Sequence, residues 1–117
     1  MTSVWTHLTV DARDPGRLAR WWAEALGYQV VRELPHEVEI RESADRLPGL
    51  LFVRGGGVKE GKNRLHLDLR PADREAEVER LVDMGARHVD VGQDGDDWTV
   101  LADPEGNEFC VLRQAGD

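Results

Sequence analysis

Two stretches of the chain alternate polar and apolar residues with a period of two, the pattern of a half-buried strand. In Val4-Trp5-Thr6-His7-Leu8-Thr9-Val10 the even positions face one side, and Trp5, His7 and Thr9 face the other. In Arg64-Leu65-His66-Leu67-Asp68-Leu69 the leucines form one face and Arg64, His66 and Asp68 the opposite one. The pattern then switches to a helical period. Asp14 is a good N-cap and Pro15 suits a first helical position, where its missing N–H costs nothing. Leu18, Trp21, Trp22 and Ala25 recur at i, i+3, i+4 and i+7, and Gly27 supplies the left-handed residue that ends a helix. After Asp73 the same order returns, with Val78, Leu81 and Val82 as the stripe and Gly85 as terminator. Three short strands complete each half: Tyr28 to Glu33, Glu37 to Arg41 and Leu50 to Arg54, then Arg87 to Val91, Trp98 to Ala102 and Glu108 to Arg113.

The chain therefore reads twice, as βαβββ, linker, βαβββ. Placing His7 on His66, an offset of 59 residues, aligns Leu8 with Leu67, Val10 with Leu69 and Asp14 with Asp73. After a one-residue gap the offset becomes 58, and Gly27 meets Gly85, Ala44-Asp45 meets Ala102-Asp103, and Val53 meets Val111. Module one covers about 3–54, a polar, glycine-rich linker 55–63, and module two 64–113, within one domain. The two histidines share the polar side of a first strand in each module.

Composition narrows the partners. The formal net charge of −8 argues against nucleic acid, which needs a basic surface to displace counterions. No apolar run is long enough to span a bilayer, so no membrane contact is expected. Cys110 is the single cysteine, so no intrachain disulfide can form. With no signal-like start, a cytoplasmic location is expected.

The order of elements, with His-Leu-Thr-Val-Asp-Ala-Arg-Asp opening one half and Arg-Leu-His-Leu-Asp-Leu the other, resembles the vicinal oxygen chelate superfamily of glyoxalases, bleomycin-resistance proteins and dioxygenases. Leu26-Gly27-Tyr28 and the turn Asp103-Pro104-Glu105-Gly106-Asn107 before the last strand are similar to features of that superfamily. The resemblance covers about Val4 to Arg113. It implies an α+β fold in which two tandem βαβββ modules form a curved, barrel-like mixed sheet with helices outside, and it makes a homodimer the expected assembly. In metal-dependent members, a divalent ion takes ligands from the first and last strands of each module and chelates two neighbouring substrate oxygens.

Carried onto this chain, the resemblance puts His7 and His66 at the first-strand ligand positions. The last-strand ligands are usually carboxylates, but Cys110 stands where glutamate is expected, and the internal repeat assigns Phe52 to the companion position. Two imidazoles alone hold oxygen-loving ions poorly. Zinc bound by His7, His66 and Cys110 is chemically reasonable, since nitrogen and sulfur donors suit it. Glu108, two residues before Cys110, is a candidate general base, or a solvated strand end.

The expected ligand pocket comprises Trp5, His7, Phe52, His66, Asp68 and Cys110, with Trp5 and Phe52 as an apolar wall for a planar ligand. Asp68 either orients an imidazole or faces solvent. Trp21 and Trp22 belong to the core, His36 and His88 to the surface, and Trp98 is left open. Three functions follow: a small-molecule-binding or resistance-type protein with no cofactor; a metal-dependent lyase, isomerase or dioxygenase, zinc favoured; and a metal-free enzyme moving protons through His7, His66 or Glu108.

Overall fold

The computed structural model describes residues 2–57, 59–89 and 97–113. The chain divides into two compact units, Met1–Val58 and Lys59–Asp117. The first contains β1 (His7–Ala12), α1 (Pro15–Leu26), β2 (Gln29–Leu34), β3 (Glu37–Arg41) and β4 (Gly49–Arg54). The second contains β5 (Asp68–Leu69), α2 (Arg74–Asp83), β6 (Arg87–His88), β7 (Trp98–Ala102) and β8 (Glu108–Leu112). Each is a βαβββ module with one open four-stranded sheet, ordered β1-β4-β3-β2 in the first and β5-β8-β7-β6 in the second. The first strand runs parallel to the fourth, and the remaining pairs are antiparallel. The fold is α+β, and the duplicated βαβββ order read from the sequence is the one observed.

The helix signals act as their chemistry requires. The Asp14 carboxylate accepts from the Arg17 N–H at 3.2 Å, and Gly27 caps the other end of α1 at φ 70°. Leu18, Trp21, Trp22 and Ala25 are all buried, with the two indoles edge to face at 5.1 Å. This stripe lies against β3 and β4. In α2, Asp73 accepts from the Ala76 N–H at 3.2 Å. Only Leu81 of the expected stripe is fully buried; Val82 is 37% exposed, and the C-cap is Met84 rather than Gly85.

First strands depart from the sequence pattern because a strand exists only where a neighbour pairs with it. Val4 and Trp5 lie before β1 and are exposed, while β1 continues to Ala12 along β4. In module two only Asp68 and Leu69 are in register with β8, and Leu65 is 76% exposed despite its place in the leucine alternation. Strand β6 covers Arg87 and His88; the final residues of the expected 87–91 strand, 90 and 91, lie outside the described residues. Among the described residues no helix is long and apolar enough to cross a membrane.

The turn before β8 is built around a buried anion. Asp103, fully buried, accepts from the backbone N–H groups of Glu105 at 2.9 Å and Asn107 at 3.0 Å, and from the Asn107 amide at 3.1 Å. Its own N–H donates to the Asn107 carbonyl at 2.9 Å. Gly106 adopts φ 91°, which a side chain would strain. Charge-assisted bonds of this kind contribute more than neutral ones. Asp103→Ala is therefore expected to destabilise the protein by about 3 kcal/mol in urea unfolding, against about 1 kcal/mol for the cap variant Asp14→Ala. Equal small effects would contradict this account of the turn.

Candidate functional site

Which side chains share a face follows from the strand ladders. In module one, His7 is level with Gly49, Thr9 with Leu51, and Val10 with Phe52. Glu39 is level with Leu51, and Val38 with Phe52. Because successive residues point to opposite sides, His7, Thr9, Glu39, Gly49 and Leu51 form one face. Val10, Val38, Ile40, Leu50 and Phe52 form the other. The second face is wholly apolar and matches the stripe of α1, and Val38, Ile40 and Phe52 are essentially inaccessible. Phe52 is thus a core residue beneath the helix. It does not stand beside His7.

Trp5 is 66% exposed and precedes the strand, so the expected wall of Trp5 and Phe52 is not assembled. The Phe52 assignment came from a one-residue gap in the repeat alignment. The ladders carry no such gap. Thr9 pairs with Leu51 and Asp68 with Cys110, the same separation in both modules, so Leu51 is the counterpart of Cys110. His7 is half-buried, and its Nδ1 is buried without a hydrogen-bond partner among the described residues.

In module two, Asp68, Val100 and Cys110 are level, so Cys110 shares a face with Asp68, Glu108 and Trp98. Phe109 and Val111 point the other way with Leu69 and Leu101. His66 precedes β5, and its Nδ1 lies 3.0 Å from Asp68 Oδ1 and 3.8 Å from Cys110 Sγ. Cys110 is buried, while the His66 and Asp68 side chains are 31% and 49% exposed. His36 and His88 are exposed, as the sequence suggests.

Glu108 is neither a solvated strand end nor an available base. It is buried, with Lys59 Nζ at 2.5 Å and the Asn63 N–H donating to it at 2.7 Å. Burial alone would raise its carboxyl, but the Lys59 and Asn63 hydrogen bonds and the Lys59 charge outweigh that, holding it below the ordinary glutamate range. Lys59 and Asn63 fall in the linker of the sequence reading, where nothing in their spacing marks them as partners of a residue so far along the chain. Glu39 was likewise not singled out. It is a buried carboxylate on the His7 face, paired with Arg41 at 2.8 Å and Arg32 at 3.9 Å.

These donors do not fit the family's usual oxygen-ligated ion. Leu51 offers no ligand atom, Cys110 offers sulfur, and the carboxylates of Glu39 and Glu108 are already committed to cations. A magnesium- or manganese-type site needs several oxygen donors.

Two βαβββ modules, each with its first strand parallel to its last and a histidine at or just before that first strand, define the vicinal oxygen chelate architecture. The glyoxalase-like domain family matches residues 7–112, and the chain belongs to it. No curated protein matches the chain in sequence. Among solved structures, it is similar to a glyoxalase/bleomycin resistance protein/dioxygenase family enzyme from Burkholderia phytofirmans (16% identity, TM-score 0.71, covering 95% of this chain and 98% of that one). It is also similar to the trypanothione-dependent glyoxalase I of Leishmania major (16%, 0.68, 97% and 88%). An antibiotic-binding protein from a Streptomyces species is similar too (17%, 0.64, 97% and 98%). At these identities the likeness establishes the fold.

Since the folded Glu108 carboxyl lies below its unfolded value, its interactions contribute stability above the ordinary glutamate range. That contribution is lost as pH falls through the folded value. Glu108→Gln is expected to cost about 1–3 kcal/mol at neutral pH, with the gap to wild type closing on acidification in urea melts. A gap independent of pH would contradict the pairing with Lys59.

Proposed function

We propose that this chain is a small-molecule-binding protein of the glyoxalase/bleomycin-resistance kind, holding an organic ligand without the family's usual oxygen-ligated divalent ion. The observation that carries the reading is the donor set: Leu51 and Cys110 occupy the last-strand positions, and Glu108 is held by Lys59 and Asn63. A carboxylate kept ionised by a lysine is a poor proton shuttle near neutral pH, because a general base works best with its pKa close to the operating pH. This weighs against the metal-free acid/base alternative. The antibiotic-binding relative lends the reading a precedent in fold, not in residues.

A second copy of the chain is part of the proposal, supported by the adjacent exposed apolar residues Val4 and Trp5, which a homodimer would cover. A cytoplasmic location is supported by the single cysteine, which suits a reducing compartment.

The test is a thermal-shift screen of antibiotic-type and other small organic ligands on chelator-treated protein, followed by calorimetry. A ligand at a hundred times its Kd should stabilise the native state by about 2.7 kcal/mol, and added magnesium or manganese should change neither binding nor the shift. Binding or turnover that appears only after those ions are added would overturn the reading.

A further inference from the structure

One cluster in module two brings three metal-ligand residue types together. We propose that His66, Asp68 and Cys110 form a binding site for a zinc-class transition-metal ion, held entirely within this module. Their ligand atoms, Nδ1, a carboxylate oxygen and Sγ, all lie within 4.8 Å of one another. Nδ1 is 3.0 Å from Oδ1 and 3.8 Å from Sγ. A tetrahedral ion with bonds of about 2.0–2.3 Å keeps its donors about 3.3–3.6 Å apart. Small rotations of the partly exposed His66 and Asp68 side chains bring the three donors to that spacing.

The backbone holds the cluster in place. Asp68 and Cys110 are level on neighbouring strands, and the Cys110 N–H donates to the Leu67 carbonyl at 2.9 Å. The His66 and Asp68 side chains are partly exposed, so an ion reaches the site from solvent. Nitrogen, oxygen and sulfur together select zinc over magnesium or calcium. Binding converts the Cys110 thiol to a thiolate, its proton passing to solvent, and three protein donors leave a fourth position for water.

A nucleophilic reading of the same three residues fits less well. Asp68 and Cys110 both address Nδ1 of His66, and one ring nitrogen cannot take a proton from the thiol while bonded to the carboxylate. A cation satisfies all three donors at once. The site also differs from the family's arrangement, which draws ligands from both modules: Asp68 is an added donor, and His7 is not needed. A metal here would tie β5 to β8, a pairing of only two residues in register.

The full-length, tag-free protein, stripped of metal, is titrated with cobalt(II) and then with zinc. Expected are a thiolate-to-cobalt charge-transfer band, tetrahedral visible bands, displacement by one zinc per chain, and a rise in melting temperature with zinc. Cys110→Ser should abolish the charge-transfer band. Loss of an outer-shell partner alone weakens metal binding about 10–100-fold, so Asp68→Asn should weaken zinc by at least about tenfold. His7→Ala should bind as wild type does. Circular dichroism establishes that each variant is folded, and His66→Gln serves as a second ligand variant should Cys110→Ser fail to fold. No cobalt band in folded wild type, a band that survives loss of Cys110, or binding lost in folded His7→Ala would each overturn the proposal. Small-molecule binding by the chelated protein is a separate readout, so either reading can fail without the other.

Discussion

The parallel pairing of first and last strands controls what each module does with its side chains. Parallel neighbours cannot be joined by a tight turn; the chain must cross over, and here it does so through a helix and two further strands. Once Thr9 is level with Leu51 and Asp68 with Cys110, every other residue of both strands is assigned to a face. Displacement by one residue would send Phe52 out from under α1 and bring Phe109 to the His66 face. The burial of Phe52 and Phe109 resists that slip, because exposing either ring forfeits a large apolar contribution.

That constraint explains which parts of the molecule the sequence disclosed. Helices were legible because their signals are local: the caps at Asp14 and Asp73 and the α1 stripe need no knowledge of distant residues. The duplicated order was legible from repeated capping and turn chemistry. First-strand limits were not, since Val4, Trp5 and Leu65 alternate correctly yet find no partner strand. A half-buried alternation describes what a segment could bury, not what its neighbours offer.

The site was legible in part. Asp68 and Cys110 lie together because they are level in one ladder, with His66 just before it, whereas Phe52 was misplaced by a single gap in a sparse repeat alignment. Such a gap is harmless in a loop and reverses the face in a strand. Glu108 shows a different limit. Its partners Lys59 and Asn63 come from a segment whose composition reads only as linker, and they convert a candidate base into a fixed carboxylate. The chemistry left on the His66 face is then that of an imidazole, a carboxylate and a thiol, a softer set than the family's usual ligands.

The ladder registration is the claim on which the rest stands, and nuclear Overhauser contacts in isotopically labelled protein test it most directly. The account predicts contacts from the Thr9 methyl to the Leu51 methyls, and from Phe52 ring protons to Val10, Val38 and α1. Thr9 contacts to the Phe52 ring in place of Leu51 would contradict it, and would return Phe52 to the His7 face.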